Sequence, residues 1–302
     1  MLSLGCVATF SYVKQSPIWI FRFVWLIMPF VAGPLFADAL NESDRPFQLG
    51  VSLGLWFAWA AVLVASMAPR TQTLTFVRIV APMALVAAVF AALVGDVADP
   101  ILVVPGVILT GFSAVAALSA SVGDAFADGS SYGDETRFLL RTPSALLLGP
   151  IQLVWLAIAG GAVAGPLLLL AEQWILGGIA LVVGWALAFF AVPVLHRLSD
   201  RWLVFVPAGV VVHDKTALRE PQLFRKEQIE AFGPAPKDSE LEDLSLNGLG
   251  LALRARLNEP SKVIRNQRGE SVDLTEINGF IVSPNRPGAV VSEAKDRGFA
   301  IG

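Results

Sequence analysis

The chain has 302 residues, of which 55% are hydrophobic and only 16% charged, and its mean hydropathy is +0.65. These values exclude an ordinary soluble globular protein and a disordered one, because most of such a chain must face lipid or a buried interior. The single cysteine, Cys6, excludes an intramolecular disulfide framework and a cysteine-based zinc site.

Charge is spread unevenly. Eight of the 22 Lys and Arg lie before Leu198 and fourteen follow, while ten of the 25 Asp and Glu lie before it and fifteen follow. The first two thirds therefore read as membrane and the last third as a soluble tail. Leu4-Gly5-Cys6 resembles a lipoprotein cleavage site, but too few residues precede it to supply a basic region and an apolar stretch. Residues 2–13 are too short an apolar run to span and carry no assignment.

Apolar runs of about 20 residues cross the roughly 30 Å hydrocarbon core of a bilayer, and six such runs are expected, at 18–40, 47–67, 74–94, 101–121, 145–171 and 174–195. Pro29 and Pro34 should bend the first. Small residues recur at four-residue spacing in three of them: Gly50 and Gly54 in the second, Ala157, Gly161 and Gly165 in the fifth, and Ala180, Gly184 and Ala188 in the sixth. Such stripes let helix backbones approach closely, which in lipid is a main source of association. No ionisable group is expected deep in a span. Gln152 is the most polar side chain placed well inside one, either as an interhelical hydrogen-bonding group or as a ligand contact.

The longest link, 122–143, contains Asp134-Glu135-Thr136-Arg137-Phe138-Leu139-Leu140-Arg141. Charged residues around an apolar triplet predict a short helix lying in the membrane interface, the alternative being a solvated connector leading into the fifth span. Orientation follows from the cations. With the N-terminus inside, Lys14, Arg22, Arg70, Arg78, Arg137, Arg141 and Arg197 are cytoplasmic and only Arg45 is outside, as the positive-inside rule requires. Both termini are then cytoplasmic, and the expected location is the cell membrane.

From Arg201 the pattern changes to period two. Residues 202–206 and 210–213 read as strands joined at Pro207-Ala208-Gly209. Residues 223–232 hold another strand, or a strand and a turn. Residues 251–257 alternate apolar and arginine as a half-buried strand does, and 262–264 and 280–282 are shorter candidates. A terminal helix is expected over 286–298, introduced by proline and stopped by glycine. Asn247-Gly248-Leu249-Gly250 lacks the third glycine and the Lys-Ser/Thr of a phosphate loop and reads as a turn, and 237–243 reads as a solvated loop. On this pattern residues 200–302 should fold alone.

Several antiparallel strands followed by one C-terminal helix resemble the bacterial pleckstrin-homology-like domains attached to membrane proteins, the resemblance resting on residues 201–213 and 280–298. With the six spans, the whole chain resembles polytopic membrane proteins of high-GC Gram-positive bacteria, a family that implies no activity to carry over. The expected architecture is thus a six-helix membrane bundle over 1–197, followed by a small, mainly β, pleckstrin-homology-like domain with a C-terminal helix over 198–302. His196 and His213 have no second histidine or cysteine at ligand spacing. No cofactor, catalytic residue, metal site or nucleic-acid partner is therefore expected. The leading functional expectation is a non-enzymatic scaffold or adaptor, embedded in the lipid bilayer and presenting a domain that binds a cytoplasmic or membrane protein. The alternative is a transporter or channel for a neutral or apolar solute, motivated by proline and glycine in nearly every span.

Overall fold

A computed structural model describes residues 3–95, 99–236, 238–266 and 274–302, with side chains from Pro17 onward. Asp96 and Lys237, which the sequence places in a span-linking turn and in the solvated loop, lie outside the described residues.

Among the described residues, six segments are long and apolar enough to cross a membrane: Pro17–Ala39, Arg45–Met67, Thr71–Val94, Pro100–Leu118, Pro150–Leu170 and Trp174–Ser199. They mark a multi-pass membrane protein. The first comprises most of α1 (Ser3–Val31) and all of α2 (Gly33–Ala39), with the break at Ala32 between Pro29 and Pro34. The stretch left unassigned before it continues α1 back to Ser3. The other five are α3 (Arg45–Met67), α4 (Thr71–Val94), α5 (Pro100–Leu118), α8 (Pro150–Leu170) and α9 (Trp174–Ser199). The fourth span ends earlier than the apolar run suggests, because Ser119 leaves the helical conformation. Its hydroxyl accepts from Val122 N at 3.3 Å and so starts α6 (Ala120–Asp128). The fifth starts later, since Gly149, at φ +144°, separates the single turn α7 (Ser144–Leu147) from α8. Between α8 and α9, Glu172 takes the left-handed conformation at φ +59°, with Gln173 N bonded to Leu168 O at 2.9 Å and Glu172 N to Leu169 O at 3.1 Å. This Schellman closure turns the chain back within three residues.

The chain divides into two units, Met1–Phe126 with Leu153–Leu195, and Ala127–Gln152 with His196–Gly302. This corrects the expected single boundary at 197/198. The link between the fourth and fifth spans belongs with the C-terminal part.

In the first unit, polar groups that cannot reach water satisfy one another across helices. Trp25 and Trp59 exchange indole-to-carbonyl bonds, each at 2.9 Å. Arg22 donates to Ser66 O in the last turn of α3 and lies over the Trp19 ring at 4.7 Å. Arg78 donates to Ala117 O in the last turn of α5 at 3.4 Å and is attracted by the Asp124 carboxylate. Each cation thus meets the negative end of a neighbouring helix dipole, where the last carbonyls lack intrahelical donors. Arg78 stands about 10 Å along α4 from its start, so the reading that no ionisable group sits deep in a span is corrected. The buried hydroxyls of Thr75, Thr110 and Ser66 bond backbone carbonyls of their own helices.

The small-residue positions behave differently from one another. A side chain at Gly161 would meet the Gly184 backbone, its Cβ lying 2.7 Å from the carbonyl oxygen and 2.8 Å from Cα, so α8 and α9 touch there with nothing between them. One at Gly165 would meet the backbone of Leu181, and one at Gly50 the side chain of Leu170, whereas at Gly54 nothing lies within 4 Å. Ala157, Ala180 and Ala188 are half-buried. Gln152 is corrected in place: it lies in the first turn of α8, exposed, with Nε2 donating to Leu147 O at 2.8 Å.

Among its described residues the second unit contains two four-stranded sheets. The first runs β1 (Thr136–Leu139), β2 (Arg201–Val206), β3 (Gly209–Asp214) and β4 (Gln222–Arg225), each antiparallel to the next. The second has the order β5 (Ile229–Pro234), β7 (Leu253–Ile264), β8 (Leu274–Val282) and β6 (Glu242–Asp243), where β6 pairs with β8 in parallel. Part of the expected solvated loop is therefore β6, and the separate candidates at 251–257 and 262–264 are one strand interrupted by a bulge. The last helix, α10 (Pro287–Asp296), faces the core with Val290 and Ala294, and Phe299 follows it inward.

The expected interfacial helix at 134–141 is instead β1. Phe138 and Leu140 alternate inward at 6% and 4% exposure and join Leu203, Phe205, Val210, Val212, Phe224, Phe232, Phe280 and Val282 in one core. A strand places alternate residues on one face, and this segment has a β partner, Trp202–Phe205, more than sixty residues away. At the start of β2, Arg201 and Asp214 form an ion pair at 2.7 Å with side-chain exposures of 1% and 0%. Arg201 also donates to Arg141 O at 3.0 Å, and Asp214 accepts from Thr216 N at 2.9 Å.

Candidate functional site: the outer face of the first sheet

An antiparallel sheet with one face on a core normally turns polar residues outward. Here β2 reads Arg-Trp-Leu-Val-Phe-Val and β3 Gly-Val-Val-Val-His-Asp, apolar on both faces. Leu203, Phe205, Val210 and Val212 point into the core, so Trp202, Val204, Val206 and Val211 lie on the outer face. In register beside Val211 is Leu223, 40% exposed.

These residues form a shallow hollow of about 220 Å³, lined by Glu135, Arg137, Trp202, Val204, Val206, Val211 and His213. The three valines make its floor. His213 stacks on Trp202 with ring centroids 4.5 Å apart and planes 6° from parallel, as the pairing of Trp202 with His213 across β2 and β3 dictates. The Arg137 guanidinium lies 5.7 Å from the same indole. Arg137 is fixed by Glu135 Oε2 at 3.1 Å and Ser130 Oγ at 2.9 Å, while its backbone N–H donates to Asp128 Oδ1 at 2.9 Å. Nε of Arg137 is buried with no hydrogen-bond partner among the described residues. Asp200 accepts from Lys215 at 2.9 Å, and His213 Nε2 stands 3.8 Å from the same carboxylate, beyond hydrogen-bonding reach.

Burial among these groups pushes the His213 imidazole below its usual value of 6.5, with attraction to Asp200 opposing the shift. The proton is thus bound more readily by the unfolded chain. Stability from this group is full above 6.5 and is lost as pH falls through the folded-state value. Carboxylates titrate in the same range, so the contribution is read as a difference: between pH 8 and pH 5 the melting temperature of the protein should fall further than that of a His213→Gln variant. Parallel curves for the two would remove His213 from the pH response.

Chemically the site offers apolar surface, one stacked indole and two neutralised ion pairs. Among the described residues no group of three or more His, Cys, Asp or Glu side chains could hold a metal ion. The small-residue positions and Gln152 lie elsewhere and are not brought to this face. Arg137 and Glu135 were missed as site residues because the strand that Arg137 sits on and Glu135 precedes reads as a helix in the sequence. The available signal was the unbroken apolar run from Trp202 to Val206, which has no polar face to give to water. No family model, curated protein or solved structure matches this chain.

Proposed function

We propose that this chain is a non-enzymatic scaffold of the cell membrane, whose bundle presents the second unit to the cytoplasm as a protein-docking module. The observation that carries this reading is the apolar outer face of the first sheet, with Trp202 and Arg137 at its hollow. Docking surfaces use such faces, and Trp and Arg are over-represented among the residues that dominate binding energy. A pleckstrin-homology-like assignment of the second unit is supported by its two antiparallel meanders, β1 to β4 and β5-β7-β8, followed by α10.

The cytoplasmic placement is supported by the positive-inside bias and by the positions of Arg22 and Arg78. Both lie toward the end of the bundle where α3 and α5 finish and α4 begins, so both cations belong to one side. An impermeant thiol reagent should label Cys6 only from the cytoplasmic side, and a cysteine replacing Ser43 in a Cys6→Ser background only from outside. Labelling of the opposite sidedness would overturn the orientation and the cytoplasmic module with it.

A further inference from the structure

We propose that the hollow on the first sheet receives Tyr132 from a second copy of this chain, in a reciprocal two-fold contact; this rests on the docking role proposed above and names its partner. Tyr132 is 88% exposed. It projects from a turn in which Gly133 takes φ +62° and Tyr132 N approaches Glu135 Oε2 at 3.5 Å. Glu135, three residues on, lines the hollow. An aromatic knob therefore stands beside an apolar hole on one surface, and its exposure means that its own hollow does not hold it. A knob and a hole side by side is what an isologous contact uses, since residue i of one copy meets residue j of the other and the reverse.

Size and charge both favour this occupant. At about 220 Å³ the hollow is smaller than the roughly 300–1,000 Å³ of small-molecule sites, and it suits one large side chain. Its charged neighbours are paired, Arg137 with Glu135 and Lys215 with Asp200, so two identical surfaces meet without repulsion and a strongly charged partner finds no complement. Copies in one bilayer share an orientation, which a two-fold axis along the membrane normal preserves. A buried tyrosine removes about 150–250 Å² from water, so two of them with their receiving hollows fall below the roughly 1,200 Å² of a stable interface. The contact should therefore be sought in the membrane, where the copies are confined, and not in dilute detergent.

The test uses two differently tagged full-length chains, both Cys6→Ser, one carrying Tyr132→Cys and the other Val211→Cys, oxidised mildly in native membranes. A disulfide-linked dimer of the two tags is expected at five-fold or greater yield over a control in which the second chain carries Lys262→Cys, an exposed position on the other sheet. Should Val211→Cys fail to accumulate, Leu223→Cys, its more exposed neighbour, takes its place. A yield equal to the control overturns the proposal. A photoreactive residue at Leu223 then separates the two readings: a cross-link to a different polypeptide removes the self-contact and keeps the docking surface, whereas cross-links to lipid alone, or none, remove both.

Discussion

A fragment of residues 200–302 is expected to give no cooperative unfolding transition, whereas residues 127–143 joined by a flexible linker to residues 200–302 should give one. The reason is β1. It contributes Phe138 and Leu140 to the core and pairs along Trp202–Phe205. Its flanks are tied in by Leu140 N to Arg201 O at 2.9 Å, Arg141 N to Ser283 O at 2.7 Å and Asn285 N to Leu139 O at 2.8 Å. Truncating a buried Phe costs about 3–5 kcal/mol and a buried Leu about 2–5 kcal/mol. Together these approach the roughly 5–15 kcal/mol that holds a whole domain folded. Circular dichroism melts of the two polypeptides decide the matter, and equal sigmoidal melts would show that β1 is dispensable.

The second large effect concerns Arg201. Replacing it with alanine leaves Asp214 charged, 0% exposed and without its cation, and breaking a buried pair from one side costs about 3–5 kcal/mol. The Arg201→Met, Asp214→Leu double variant should recover most of that loss, because exchanging a buried pair for packed apolar groups is often neutral. Full recovery is not expected, since Asp214 also holds Thr216 N and that bond is worth about 1 kcal/mol. Denaturant unfolding of the joined polypeptide measures both. A double variant no better than Arg201→Ala would mean that the polar contacts, and not the unpaired charge, set the cost.

Sequence pattern carried the six spans, the β2–β3 hairpin and α10, because each is specified locally: long apolar runs, Gly209 at a turn, Pro287 before a short amphipathic stretch. The close contact of Gly161 with Gly184 was also legible, since small residues at four-residue spacing mark where backbones can meet. Gly54 belongs to a stripe of the same appearance, but a side chain added there would meet nothing within 4 Å, so spacing alone does not distinguish a packed face from an open one. β1 could not be read locally. Thr136 to Leu139 becomes a strand only because β2 lies beside it, and a remote partner overrides a short segment's own pattern. The candidate site fell with it, since two of its residues, Glu135 and Arg137, flank or sit on that strand. Arg78 stands about two turns inside its span, and the short link after α4 already implies that α5, which carries Ala117, is its neighbour. Asp124 was not legible as a partner, because it comes from α6, a stretch the sequence reads as a connecting link.

The most direct measurement of docking at the first sheet is ultraviolet cross-linking in intact membranes from a photoreactive amino acid at Leu223, compared with one at Lys262. The account predicts a discrete polypeptide adduct from Leu223, lost when Val211→Glu puts a charge into the floor of the hollow, and none from Lys262. Adducts of equal yield from both positions, or an adduct from Leu223 that survives Val211→Glu unchanged, would contradict it.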